Sequence, residues 1–363
     1  MYQIRYSSSV AAGLGLYSPD SGAIHPIRRW TMISTERKIN HTERLKHMAL
    51  AKYQRRIGSL IGITPPIDIL PPKLVRPTLN TFEKFFGLKK EKMHRVSNYK
   101  MPLSSSPGNF ISLKVFHPAE KTPKRTMVYF HGGGFVLGSI ATHENLIRKL
   151  ASRCNISIVA VDYRLAPENK FPTAIVDCVD AWNWINEHAA ELGVSTNNIG
   201  VGGDSAGGYL ALSVSLSDTR RGLPVISQSM PDFQFLLYPI TDTRGQTASY
   251  SEFDKNLMLT TEVMDYFYKH FFTDPELKNS PGVSPLLAEN LSTLPKTYLL
   301  TVEYDPLRDE GQQMVQRLKD AGVSIFDEHF DDCMHAFPHF AGICNRARES
   351  TDVIAQRLGE LVA

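Results

Sequence analysis

Ile199-Gly200-Val201-Gly202-Gly203-Asp204-Ser205-Ala206-Gly207 is a β-prone run that ends in the pentapeptide Gly-x-Ser-x-Gly. This pattern turns a strand abruptly into a helix and lifts the serine hydroxyl out of the fold. Glycine is needed at 203 and 207 because a side chain there would strike the neighbouring strand or helix. Backbone strain of this kind usually accompanies function. Gly208-Tyr-Leu-Ala-Leu-Ser-Val-Ser-Leu216 reads as the helix that follows, with its first amides directed back at Ser205. A glycine-rich turn carrying a passenger serine is the plainer alternative, and the pentapeptide alone leaves it open.

A second motif narrows that choice. Thr126-Met-Val-Tyr-Phe130 is a short apolar strand pattern leading into His131-Gly132-Gly133-Gly134-Phe135. Three glycines at a strand end let main-chain amides reach a ligand unobstructed. Fixed amide donors are what a developing oxyanion needs, and losing one costs about 3 kcal/mol in the transition state. The partner donor is expected from the residue after the nucleophile, here Ala206. A phosphate loop would require Gly-Lys-Ser/Thr, which is absent. A dinucleotide loop would require glycine at 137, where the chain has Leu.

A serine nucleophile needs a base, and the base needs an orienting group. The chain order for this architecture is Ser, then Asp or Glu, then His. Lys296-Thr-Tyr-Leu-Leu-Thr-Val302 reads as a buried strand, Asp305 follows it, and Pro306 sits where a new helix starts that continues through Glu310 to Ala321. Asp305 thus falls on the same sheet edge as Ser205. Helix capping is its competing role. Asp309 falls inside the helix and is expected to make a surface or loop contact. Val323 to Phe330 alternates as a strand, Asp331 to Met334 reads as a loop, and His335 follows. His335 holds the place of the base. His339, one turn on, is expected to point away from the edge. His329 lies within the strand, and His131 is expected to brace the glycine loop.

His131-Gly-Gly-Gly-Phe, Asp162-Tyr-Arg-Leu-Ala-Pro-Glu168, Gly203-Asp-Ser-Ala-Gly-Gly208, Asp305-Pro-Leu-Arg-Asp-Glu-Gly311 and His335-Ala-Phe337 occur in this order. Together they resemble the hormone-sensitive-lipase family of α/β-hydrolases over roughly residues 95 to 360. The His-Ala-Phe ending with His339 nearby is similar to bacterial acetyl esterases of that family. The resemblance implies Ser205 as nucleophile, His335 as base, Asp305 as its partner, and the amides of Gly133, Gly134 and Ala206 as the oxyanion hole. It assigns Arg164 and Glu168 mainly architectural roles. It also implies an N-terminal helical cap, short acyl chains from acetyl to butyryl or hexanoyl, and a homodimer. The stretch Asp331-Asp-Cys-Met334 departs from the family, which usually has Gly before the histidine. Two carboxylates there would act to raise the pKa of His335. Amidase, lactonase and deacetylase reactions use the same triad and stay open. So does a binding protein on the same scaffold, although relatives of that kind lack a working base histidine.

The chain of 363 residues is 42% apolar with a net charge of +3, which fits a globular protein with a sizeable core. The charge has no basic block, so nucleic acid is not implied. No apolar run has the length of a membrane span, and no targeting segment stands out at the N-terminus. Cys154, Cys178, Cys333 and Cys344 lack metal or redox spacing, so reduced thiols in a cytoplasmic protein are expected. Cys333 lies close enough in sequence to His335 to make a thiol-sensitive site conceivable. The proposed chemistry calls for no metal or cofactor, and the expected partner is a small ester.

Residues 1–95 read as an N-terminal extension and helical cap. A helix is expected over about 35 to 60, prolines 65, 66, 71, 72 and 77 break regular structure, and Thr81 to Phe86 forms a short helix. Residues 96–363 read as an α/β-hydrolase domain with a mostly parallel eight-stranded sheet flanked by helices. Strands are expected at Arg95–Lys100, Ile111–Phe116, Thr126–Phe130, Ile156–Asp162, Ile199–Gly202, Phe233–Leu237, Tyr298–Val302 and Ser324–Phe330. Helices are expected at His143–Ser152 and Ala174–His188. Segment 241–272, with Tyr250, Phe253, Met258, Tyr266 and Phe267, is expected to add a second cap piece. Alternation of strand and helix places functional groups at the carboxyl ends of the strands.

Overall fold

The computed structural model describes residues 70–217, 226–253, 257–280 and 282–363. The extension over residues 1 to about 30 and the helix expected over 35 to 60 lie outside the described residues. In chain order the main elements are α1 (Pro72–Phe86), β1 (Arg95–Pro102), β2 (Phe110–His117), β3 (Thr126–Phe130), α2 (Ile140–Cys154), β4 (Ser157–Asp162), α3 (Thr173–Glu187), α4 (Ala189–Leu192), β5 (Ile199–Asp204), α5 (Ala206–Ser215), β6 (Phe233–Leu237), α6 (Ala248–Glu252), α7 (Thr261–Phe271), β7 (Lys296–Tyr304), α8 (Arg308–Asp320), β8 (Ile325–Met334) and α9 (Asn345–Val362). The strand order is β1-β2-β4-β3-β5-β6-β7-β8. β2 is antiparallel to both β1 and β4, and the other pairings are parallel.

All eight expected strands form. Their inner members are apolar on both faces because helices cover both. In β3, Val128 and Phe130 join one buried cluster, while Met127 and Tyr129 join the other on the opposite face. The parallel register brings β3, β5, β7 and β8 to one carboxyl edge. His131, Ser205, Asp305 and His335 are each the first residue beyond a strand on that edge.

Two local expectations are overturned. Asp331 to Met334 is not a loop: β8 runs on through Met334, with a register shift against β7 between Val302 and Tyr304. The irregularity absorbs the extra residues and lets the strand deliver His335 directly. Pro77 does not break the chain either, because α1 continues through it from Pro72 to Phe86. An interior proline costs a helix about 3 kcal/mol. Tertiary anchoring offsets that cost. Arg76 donates from Nε to the Val136 carbonyl (2.9 Å) and from Nη2 to the Ala166 carbonyl (2.7 Å), and it pairs with Glu168 at 2.8 Å. Glu168 therefore holds the N-terminal helix against the hydrolase core.

Helix α2 is tied to the sheet through Glu144. Its carboxylate meets Lys114 at 2.6 Å, Arg148 at 2.7 Å and Lys90 at 2.8 Å. Burial acts to raise the Glu144 pKa, but the three cations outweigh it and hold the group at about 2. A depressed carboxyl stabilises the fold above its unfolded value near 4.5 and loses that contribution as pH falls toward 2. Glu144→Gln is expected to cost about 2 kcal/mol at pH 7. The difference from the parent should shrink steadily between pH 4.5 and 2 in urea unfolding, and a pH-independent difference would count against the ion pairs as its source.

Candidate active site

Ser205 sits at φ 54°, ψ −119°, between β5 and α5. A serine at positive φ is strained, and three contacts hold it there. Its amide donates to the Leu237 carbonyl at 2.8 Å, and its own carbonyl accepts from Tyr209 and Ile240 at 3.2 Å each. The turn closes only because residue 207 is glycine, since a Cβ there would overlap the carbonyl oxygen of Phe130.

The three residues expected to cooperate form one hydrogen-bonded chain. His335 Nε2 lies 2.8 Å from Ser205 Oγ, and His335 Nδ1 lies 2.6 Å from Asp305 Oδ2. The second oxygen of Asp305 accepts the Leu307 amide at 2.9 Å. Capping and orientation, which the sequence posed as alternatives, are thus performed together by the two oxygens. All three side chains are buried, and Tyr238 packs its ring 4.7 Å from the imidazole. A different serine–histidine contact, Ser157 with His117 at 3.4 Å, lies at the amino end of β4, beside Thr126 at the start of β3. It is on the wrong edge to join this group.

Among the described residues the amides of Gly133, Gly134 and Ala206 have no hydrogen-bond acceptor. Gly133 has φ 117° and Gly134 φ 61°, backbone states that present these amides and that glycine adopts freely. Both glycines border one cavity with Ser205 and His335. The remaining loop amide, Gly132, is engaged by Asp204 Oδ1 at 3.1 Å. The same oxygen accepts from Tyr129 Oη at 2.7 Å. His131 braces the loop as expected: its Nδ1 lies 2.8 Å from the Gly132 carbonyl and its ring stacks on Tyr163. Burial first, then the neighbouring His143, push the His131 pKa down to about 4, so its ring is neutral near pH 7.

The neighbouring candidates separate cleanly. Asp309 accepts the amide of Ser249 in α6 at 2.9 Å, a contact between two helices and not the surface or loop contact expected, and His329 pairs with Glu303 at 3.0 Å. Asp332 is bound to Arg346 at 2.6 Å and so is partnered away from His335. Cys333 is buried against Ser350, and burial pushes its thiol up to about 12, so it is poorly reactive. His339 departs from expectation. It does not point away from the edge but lines the cavity, 2.9 Å from Glu83 of α1. Of the aromatic and methionine residues in segment 241–272, Met258 and Phe267 reach the cavity, whereas Tyr250, Phe253 and Tyr266 are packed in the core.

Sequence reasoning missed His143 and Glu83. His143 Nε2 lies 3.2 Å from Asp204 Oδ2, the side chain that precedes Ser205. Burial acts to raise the Asp204 pKa, but His143 outweighs it and the carboxyl stays well below its ordinary range. A histidine inside an amphipathic helix and a glutamate in a cap helix carry no local signature of such contacts.

The chain matches the model of a family described as having the alpha/beta hydrolase fold over residues 127–339. It is 34% identical to an arylesterase of Saccharolobus solfataricus over 252 residues, covering 69% of this chain and 79% of the relative. It is 31% identical to an ethyl acetate hydrolase of Pseudomonas putida, covering 71% of this chain and 81% of that one. The structure of an esterase from Pyrobaculum calidifontis superposes with a TM-score of 0.74 at 33% identity, covering 88% of this chain and 98% of that chain.

Proposed function

The chain belongs to the hormone-sensitive-lipase family of α/β-hydrolases, and from that membership we propose that it is a serine carboxylesterase acting on esters of short acyl chains. The observation that carries this reading is the unbroken chain Ser205–His335–Asp305 beside three amides without acceptors.

His335 Nε2 takes the Ser205 proton as Oγ attacks the ester carbonyl. The tetrahedral oxyanion rests on the amides of Gly133, Gly134 and Ala206. The imidazolium, steadied by Asp305, returns the proton to the departing alcohol. Water then attacks the acyl-enzyme with the same proton transfers, releasing the acid and restoring Ser205.

The cavity supports the short-chain preference. It encloses about 110 Å³ and is walled by Leu79 and Phe82 of α1 and by Met258, Leu259, Val263 and Phe267. An apolar cavity of roughly 150 Å³ just holds benzene, so this one suits an acyl group of a few carbons. In this reading α1 and the part of segment 241–272 that lines the cavity act as a cap that excludes water. Among the described residues no helix is long and apolar enough to cross a membrane. The four free cysteines support a reducing, cytoplasmic setting. The open edge of the outer strand β8 offers a surface on which a homodimer can form.

A p-nitrophenyl ester series from acetate to palmitate tests the proposal. We expect kcat/KM to peak between acetate and hexanoate and to fall at least about 100-fold by the sixteen-carbon ester. A maximum at ten carbons or more would refute the short-chain assignment and leave the triad standing.

A further inference from the structure

Beside the nucleophile, three side chains able to ligate a metal turn toward one space. A carboxylate oxygen of Asp204 and one ring nitrogen each of His143 and His339 lie within 4.8 Å of one another. All three border the same cavity as Ser205. The triad does not use them.

The tightest pair already has ligand spacing. Asp204 Oδ2 and His143 Nε2 are 3.2 Å apart. Two ligands on a tetrahedral zinc ion at about 2.0–2.1 Å stand roughly 3.3 Å apart. His339 must close in by about 1.5 Å to complete the set. It lies in the single short turn Phe337–Phe340 that follows β8, with its side chain 17% exposed.

Both imidazoles are held from behind. Glu83 Oε2 engages His339 Nδ1 at 2.9 Å. The Ser139 carbonyl and Thr142 Oγ1 engage His143 Nδ1 at 3.2 and 2.8 Å. In each ring Nε2 is the nitrogen left for a ligand. A carboxylate or carbonyl on the far nitrogen is the arrangement that orients metal-binding histidines. The Gly132 amide also donates to His143 Nε2 at 3.3 Å, treating that nitrogen as an acceptor. Nε2 and Asp204 Oδ2 face each other across 3.2 Å, and a cation bound between them takes the place of the proton they otherwise share.

The charge of the cavity agrees. Glu83 and Asp204 line it, and neither lysine nor arginine does. Two carboxylates balance one divalent ion. Two imidazoles with a carboxylate favour zinc-like ions over magnesium or calcium, which prefer oxygen donors alone.

We propose that His143, Asp204 and His339 form a site for one divalent ion of the Zn²⁺ class, with Glu83 orienting His339, and that its occupation blocks ester hydrolysis. The ion sits in a space of about 110 Å³ that substrate must enter. It also replaces the direct contact between His143 and Asp204, the residue preceding Ser205. The binding claim stands on geometry alone, whereas the inhibition claim rests on the esterase reading.

Calorimetric titration of untagged, metal-stripped full chain with Zn²⁺, and visible absorption of the Co²⁺ form, test the site. One ion per chain is expected, with cobalt bands of a nitrogen and oxygen donor set. His339→Gln should weaken binding at least about 100-fold and Glu83→Gln about 10-fold, with thermal unfolding as the check on folding. Ser205→Ala should bind the ion like the parent. Hydrolysis by the parent should fall over the same Zn²⁺ range that fills the site. No binding at millimolar Zn²⁺, unchanged affinity in both folded variants, or thiolate-to-cobalt charge-transfer bands would each overturn the site. Full occupancy with undiminished hydrolysis would overturn the inhibition. A parent that binds Zn²⁺ as expected but hydrolyses no ester would leave the site standing and remove the esterase reading.

Discussion

Ser205→Ala is expected to lower kcat for a p-nitrophenyl ester by at least about 10⁴-fold while the protein remains folded. In the proposed mechanism the change deletes the atom that attacks the carbonyl. It leaves intact the amides of Gly133, Gly134 and Ala206, which sustain a residual rate by polarising the bound ester. Ser205 Oγ has His335 Nε2 as its partner at 2.8 Å. The turn itself is held by main-chain bonds to Leu237, Tyr209 and Ile240, so its strained backbone survives the loss of the hydroxyl. Steady-state kinetics and thermal unfolding on the same preparation decide the matter. Activity within tenfold of the parent, with an unchanged Tm, would remove Ser205 from the nucleophile role and with it the proposed mechanism.

Asp305→Asn is expected to reduce kcat by about 10³–10⁴-fold with little change in KM. The reason is a tautomer forced by geometry. Asp305 Oδ1 accepts the Leu307 amide at 2.9 Å while Oδ2 faces His335 Nδ1 at 2.6 Å. An asparagine must keep its carbonyl oxygen on the Leu307 amide, which turns its NH₂ toward the imidazole. His335 Nδ1 must then accept, so the proton moves to Nε2 and points at Ser205. A protonated Nε2 cannot take the seryl proton. Asp305 is buried away from the cavity lining, so substrate binding should be spared. A large rise in KM with kcat preserved would instead mark Asp305 as a substrate contact.

Much of this site is written in the chain because its parts obey local rules. A β-prone run ending in glycine-rich turns announces a strand end, and four such ends carry His131, Ser205, Asp305 and His335. β3 and β6 begin and end where their apolar runs do. The errors arise where distant contacts override local signals. Pro77 reads as a breaker until Arg76 is seen bound to carbonyls sixty and ninety residues away. Asp331 to Met334 reads as a loop until β7 supplies the partner that extends β8. His339 reads as pointing away from the sheet edge, yet the short turn after His335 brings it onto the cavity wall.

The sequence by itself determined the strand-helix alternation, the elbow at Ser205, the amide loop after β3 and the chain order of the triad. Each of these depends on residue types within a few positions of one another. Only the tertiary structure decided that Glu83 meets His339 across 256 residues, that His143 backs Asp204, and how small a cavity they enclose with Phe82 and Phe267. Side chains on separate elements meet only after the sheet is built and the helices are packed. No spacing along the chain encodes such meetings, because packing sets them and periodicity does not.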